Sequence, residues 1–296
     1  VITFDMGGTT AKTSMIARGE VTRALDMQVG GGIMHGSRLM TGAGYALKVP
    51  AIDLAEVGAG GGSILSIDAG GSLRAGPESA GASPGPVCYD AGGESPTITD
   101  ANIILGYLNP NHLVGGAVKL NKEKAAGLFK EKIADPLGLS LEEAAYGAHL
   151  ISASNMIRAI KAVSTERGRN PQNYSLFAFG GNGPLFASGM ADAIGIKQVI
   201  VPPSPGLFSS FGLLYADVEH HYSRTFRRLL TDADPQELTT AWEGLAKEAI
   251  DELNKEGFAG ASAVIERSAS LHYKGQIYEL SVPAPSGNFD AKKLAE

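Results

Sequence analysis

The sequence predicts an α/β fold built on a mixed sheet, and a few segments carry that prediction. Val1 to Asp5 and Thr10 to Ala17 read as strands joined by a glycine turn, which makes a hairpin. Ser140 to about Thr165 reads as one long core helix. Leu176 to Val201 reads as strand, turn, helix and strand. A hairpin followed much later by a β-turn-α-β passage requires antiparallel and parallel neighbours in the same sheet.

Each element follows from local chemistry. The first strand is apolar and ends in the carboxylate of Asp5; Gly7 and Gly8 make the turn, and a third strand is expected near Val21. Residues 24–139 read as a Gly/Pro-rich insertion, with Gly58 to Gly93 dominated by Gly, Ser, Ala and Pro around a strand-like piece at Ser63 to Ile67. Thr99 or Asp100 is expected to cap a short helix, Ala101 to Leu108, which Pro110 closes. Ser140 with Glu143 three residues later forms the capping-box signature of the long helix, whose core face is expected to hold Leu150, Ala153, Ile157 and Ile160. Leu176 to Phe179 is a buried strand, Pro184 to Ile194 a helix and Gln198 to Val201 another strand. Pro235 to Glu256 has an amphipathic helical pattern, and Glu266 to Tyr273 with Tyr278 to Val282 make a hairpin around Lys274, Gly275 and Gln276. Val1 to Phe4 already reads as a core strand with no initiator Met, and Asp290 to Glu296 as the start of a helix; the chain is therefore expected to be a fragment.

Composition narrows the partners. The formal net charge is -6 and no Lys/Arg cluster is interleaved with aromatics, so no nucleic-acid or anionic-membrane surface is expected and small molecules are the better partner class. Cys88 is the only cysteine, which excludes an internal disulfide framework or a cysteine-based zinc site and fits a reducing, cytoplasmic setting. There is no signal-peptide pattern and no apolar run long enough to cross a bilayer.

Two glycine turns carry the chemistry. In Asp5-Met6-Gly7-Gly8-Thr9-Thr10 a carboxylate at a strand end precedes glycines that let backbone N–H groups approach an anion. Asp5 is the candidate catalytic and metal-binding residue, holding a hydrated Mg²⁺ against phosphates, while Thr9 and Thr10 donate hydroxyls. Spacing alone allows equally a tight hairpin in which Asp5 makes an Asx-type turn. A P-loop is rejected because Ala11 precedes Lys12-Thr13 where glycine is required and a strand follows. Gly58 to Ser63 mimics a dinucleotide fingerprint but leads into a strand, so a Rossmann site is rejected too. The second turn, Phe179 to Pro184, joins a strand to a helix; Gly180, Gly181 and Gly183 offer a side-chain-free surface for adenine or ribose, or serve the turn geometry alone.

Together these turns resemble the second phosphate motif and the adenosine motif of the sugar kinase/Hsp70/actin superfamily. Gly58–Ile64, Gly76–Ala82, Pro84–Tyr89, Pro96–Asn102, Val201–Phe208, Gly212–Asp217 and Tyr273–Leu280 resemble, more specifically, the hydantoinase A family of hydantoinase, oxoprolinase and acetone carboxylase subunits. That resemblance implies a ribonuclease-H-like mixed sheet, with residues 1–296 as a carboxyl-terminal lobe. It also implies ATP and Mg²⁺ as cofactors, with Gly7, Gly8, Thr9, Thr10, Gly180, Gly181 and Gly183 binding the nucleotide. It implies a cyclic amide substrate, such as a hydantoin or 5-oxoproline, whose carbonyl is activated for hydrolysis. The implied partners are a hydantoinase B-type subunit and an amino-terminal lobe not contained in this sequence, without which the fragment is expected to be inactive. Alternatives are an acetone-carboxylase-like subunit and a nucleotide-binding module without substrate chemistry. The family often carries Asp where this chain has Lys12, which could pair with a phosphate or merely reach solvent and is assigned no family role. Weaker candidates are Cys88 as a nucleophile or a buried structural thiol, and His220 with His221 as metal ligands, which adjacent strand positions would point apart. Glu78, Asp100 and Asn102 could line a second substrate pocket, with capping and turn hydrogen bonds the better role for the last two.

Overall fold

A computed structural model describes residues 1–24, 27–29, 34–35, 45–47, 51–111, 113, 116–258, 263–276 and 279–284. The chain divides into two compact units, Val1–Ala216 and Asp217–Glu296. The first is a mixed α/β fold. Its early strands are β1 (Ile2–Met6), β2 (Ala11–Ala17), β3 (Glu20–Val21), β4 (Arg23–Ala24), β5 (Met27–Val29), β6 (Met34–His35), β7 (Tyr45–Leu47), β8 (Ala51–Ile52), β9 (Leu54–Val57), β10 (Ser63–Ile67) and β11 (Leu73–Ser79). Helices α1 (Ile98–Ile104), α2 (Lys122–Phe129), α3 (Asp135–Leu137) and α4 (Leu141–Val163) follow, then β12 (Leu176–Phe179), α5 (Gly183–Ile194), β13 (Val199–Ile200) and α6 (Phe208–Leu213).

The main sheet runs β13-β12-β1-β2-β9-β6, with β3 added on β2. β1 and β2 form the expected antiparallel hairpin, and β1 also pairs in parallel with β12, placing Asp5 opposite Phe179. The alternation of strand side chains sorts the two faces. Ile2, Phe4 and Met6 of β1, Ala11 and Met15 of β2, and Leu176 and Ala178 of β12 are buried, and α4 and α5 pack on the sheet. Asp5, Lys12 and Phe179 leave the opposite face, where the rings of Phe177, Phe179 and Phe208 meet edge-on or tilted, 5.2–5.9 Å apart.

Within the 24–139 stretch, β9 joins the main sheet through β2 and contributes Ala55 and Val57 to the core. A hairpin of β10 and β11 starts at Ser63, where the strand was expected. The helical run of α2, a π turn at Lys130–Ala134 and α3 was not anticipated; its apolar residues Ala125, Phe129 and Ile133 are spaced to bury one face. The short helix α1 starts three residues before its expected start. Thr97 is the cap: its hydroxyl accepts from the Asp100 N–H while the Asp100 carboxylate accepts from the Thr97 N–H, a reciprocal box that neither Thr99 nor Asp100 could form as cap.

Helix α4 begins as expected, with Ser140 and Glu143 closing the capping box. Of the expected face, Ile160 is buried and Ala153 and Ile157 pack against the core, but Leu150 does not. Leu150 is exposed, whereas Ala145, Ala148, His149, Ser152, Met156 and Ile160 are buried, at the i, i+3, i+4 spacing of a helix side. The end of α4 is tied to the sheet by Arg167, whose guanidinium makes two 2.6 Å bonds to the carboxylate of Asp53 just before β9. The second unit contains α7 (Pro235–Lys255), capped by Asp234, and an antiparallel pair of β14 (Ser268–Leu271) and β15 (Leu280–Pro283). Tyr278, expected in that hairpin, lies outside the described residues.

Candidate functional site

Three chain segments meet at the carboxyl end of β1. The β1–β2 turn turns its carbonyls inward: Met6 O accepts from Asn182 N at 2.9 Å, Gly7 O from Gly61 N at 3.1 Å and Asn182 Nδ2 at 3.1 Å, and Gly8 O from Gly62 N at 2.6 Å. A trans peptide is planar, so each carbonyl fixes the next N–H in the opposite direction. The N–H groups of Gly8 and Thr9 therefore point outward. Neither donates a hydrogen bond within the loops of the described residues, and a Cβ on Gly7 or Gly8 would meet nothing within 4 Å. The result is a concavity of about 280 Å³ lined by Asp5, Gly7, Gly8, Thr9, Thr10 and Lys12. Adjacent outward N–H groups of this kind make an anion-binding surface.

The second turn supports the first from behind. Gly180 has φ +80, and a Cβ there would collide with Asp5 Oδ1 and Met6 O, so only glycine lets β12 end this close to β1. Gly183 packs against Phe4 O and is buried; Gly181 is exposed with open space before it. Asn182, which precedes α5, makes no side-chain cap, and its Nδ2 donates to Gly7 O. Gly60 to Gly62 form the third wall, and a Cβ at Gly61 would lie 2.5 Å from Asn182 Nδ2 and 2.7 Å from Thr99 Oγ1. The Ser209 hydroxyl, on α6, donates to Asp5 Oδ2 at 2.9 Å and fixes that carboxylate at the cleft edge. The two turns thus meet through Gly180, Asn182 and Gly183, but the concavity itself is lined by the first turn and by none of Gly180, Gly181 and Gly183. Sequence reading missed Asn182, Ser209 and Gly60 to Gly62 as neighbours of the site; Asn182 and Gly60 to Gly62 lie inside glycine-rich turns, whereas Ser209, on α6, carried no such signal.

A profile of the family described as Hydantoinase/oxoprolinase matches residues 1–222, and a profile of the Hydantoinase/oxoprolinase C-terminal domain matches residues 230–294. The chain belongs to the hydantoinase/oxoprolinase family. Among the family's members, caprolactamase subunit alpha of Pseudomonas jessenii is 36% identical over 298 residues, covering 100% of this chain and 41% of its own length. The crystal structure of ATP-dependent caprolactamase from the same organism matches with a TM-score of 0.74 at 36% identity, over 100% of this chain and 41% of that one. The nucleotide-free structure of acetone carboxylase, from work on ATP-dependent acetone carboxylation, matches with a TM-score of 0.78 at 30% identity, over 99% of this chain and 41% of that one. This hydantoinase/oxoprolinase chain thus spans about two fifths of the length of these relatives.

The remaining candidates separate from the cleft. Asp100 is fully buried and accepts from the N–H groups of Val87, Cys88 and Thr97, which ties the 86–90 turn to α1. Asn102 is also fully buried, and it does not cap: its Oδ1 meets His149 Nδ1 at 2.9 Å, correcting the expected capping role. Neither lines an open pocket; Glu78 is exposed on β11. Cys88 is buried, and burial first, then the Asp100 carboxylate, pushes its thiol far above the usual range, which fits the structural thiol and not the nucleophile. His220 and His221 lie outside strands; His220 pairs with Glu256 at 2.8 Å and His221 lies 3.6 Å from Glu219. Among the described residues no three His, Cys, Asp or Glu side chains group to hold a metal, and no helix is long and apolar enough to cross a membrane. A larger recess of about 380 Å³ beside Arg224, Phe226 and Glu237 in the second unit contains none of the sequence candidates.

Proposed function

We propose that the first unit supplies the phosphate side of an ATP cleft in a cytoplasmic enzyme that activates the carbonyl of a cyclic amide for ring opening. The observation that carries this reading is the outward pair of Gly8 and Thr9 N–H groups beside the Asp5 carboxylate. That donor set suits a phosphate with a hydrated Mg²⁺, since Mg²⁺ keeps most of its waters and needs one or two carboxylates, not a protein cage. Asp5 would hold the ion, Gly7, Gly8, Thr9 and Thr10 the phosphate oxygens, and Gly181, supported by Gly180 and Gly183, the adenosine side. The antiparallel β1–β2 hairpin beside the parallel β12 supports placing the sheet with the ribonuclease-H-like kind. When bound, ATP supplies a phosphoryl group that draws charge from an amide oxygen, which makes an otherwise inert carbonyl open to water. The chain's own residues orient the phosphates and hold the counter-charge. A caprolactamase relative is named as a subunit, which supports a partner polypeptide; in this reading the partner is of hydantoinase B type and an amino-terminal lobe closes the cleft.

The match to acetone carboxylase favours a second reading, in which the oxygen of a ketone enolate or of bicarbonate takes the phosphoryl group and ADP leaves. Titration of Mg-ATP into the full-length protein, and ATP turnover with lactams and with acetone, tests both. The lactam reading requires ATP turnover that rises on adding a cyclic amide and is lost in Asp5→Ala. Turnover that follows acetone favours the second reading; ATP binding without dependence on either substrate would leave a nucleotide-binding module.

A further inference from the structure

Asp5, Lys12 and Glu56 are direct cross-strand neighbours on β1, β2 and β9, so their side chains leave one face of the sheet as a row of alternating charge. Lys12 is the one basic side chain among the described residues lining the cleft. It is loosely held. Its Nζ lies 3.6 Å from Glu56 Oε1, beyond hydrogen-bond reach, whereas Lys124 and Lys130 sit 2.6 Å from their aspartates. The Lys12 side chain is 45% exposed, and such surface pairs contribute little to stability. Resting on the nucleotide reading above, we propose that Lys12 anchors the terminal phosphate of the bound nucleotide, exchanging Glu56 for a phosphoryl oxygen.

The geometry favours this over a decorative cross-strand pair. Two carboxylates flank the cleft in a chain whose net charge is already -6, so a polyphosphate entering beside Asp5 and Glu56 would meet repulsion without a cation between them. Lys12 supplies that cation on a flexible stem. An ammonium acts as a movable point charge, suited to a group that must leave one anion for another. The backbone N–H pair of Gly8 and Thr9 is fixed, so it can bind one phosphate; a longer phosphate chain needs a reaching side chain. Lys12 should therefore read phosphate number, not the nucleoside.

The test is titration of adenosine, AMP, ADP and ATP into the full-length protein and into Lys12→Met, Lys12→Arg and Glu56→Gln variants. A lost charge-assisted hydrogen bond predicts that Lys12→Met weakens ATP by about ten- to hundredfold and leaves adenosine unchanged. Lys12→Arg should recover most of the loss, and Glu56→Gln should hold or tighten ATP. Equal weakening of adenosine and ATP in Lys12→Met, or ATP binding unchanged, would overturn the role of Lys12 while leaving the cleft intact. Failure of the unmodified protein to bind any of these compounds overturns the nucleotide reading itself, and the role of Lys12 with it.

Discussion

Alanine at two glycines of the cleft separates the cradle's architecture from its contact with ligand. At Gly60 a Cβ would lie 2.5 Å from Gly8 C and Thr9 N, and closer still to Gly8 O, where ordinary contact begins at 3.4 Å. The Gly8–Thr9 peptide must therefore retreat by about 0.9 Å, or the Gly60 segment must do so and weaken the Gly62 N to Gly8 O bond of 2.6 Å. Overpacking of that kind costs about 1–3 kcal/mol, and a displacement near 1 Å at a binding group costs roughly a hundredfold in function. At Gly8 the same methyl meets nothing within 4 Å and the backbone is not left-handed, so folding should be untouched, yet the methyl enters the space a phosphate would occupy. Thermal melting and Mg-ATP titration of both variants form the assay. Gly60→Ala should lower the melting temperature and the affinity together; Gly8→Ala should lower the affinity alone. Gly60→Ala with unchanged ATP binding, or Gly8→Ala with unchanged binding and stability, would refute the reasoning that this turn is a cradle.

The pair of Asp53 and Arg167 makes a second, purely structural prediction: Asp53→Ala removes the carboxylate that meets the guanidinium, whose side chain is 12% exposed, and should cost about 3 kcal/mol, while replacing both partners with apolar side chains should recover much of it in denaturant melts. His149 predicts a pH effect. Its ring lies 4.1 Å from that of Phe186, and burial lowers its pKa below the usual value, so the neutral form is favoured in the fold. The folded pKa lying below the unfolded one, its contribution is full above the unfolded pKa, near 6.5, and is lost as pH falls through the folded pKa. His149→Gln, which keeps a partner for Asn102, should flatten stability below about pH 6.5; an unchanged pH slope in denaturant melts would assign the acid sensitivity to other groups.

What the sequence determined by itself was local: wherever neighbours within a few residues decide the conformation, it was legible. The hairpin at Gly7 and Gly8, the capping box of Ser140 and Glu143, the strand Leu176–Phe179 and the strand at Ser63–Ile67 each rest on side-chain alternation or a cap within reach of the chain itself. The sequence also identified the two glycine turns, because an uncommon residue type repeated in a short span leaves a mark. Tertiary structure decided the rest. Whether Leu150 or His149 faces the core depends on where α5 and α1 lie, since either side of an alanine-rich helix could be buried. The choice of Thr97 over Thr99 as cap depends on Asp100 also meeting the N–H groups of Val87 and Cys88, a contact across more than ten residues. Above all, the outward direction of the Gly8 and Thr9 N–H groups is imposed by Gly61, Gly62 and Asn182, which hold the preceding carbonyls from distant parts of the chain. A glycine permits many orientations of its peptide; only the packed neighbours select the one that faces the cleft.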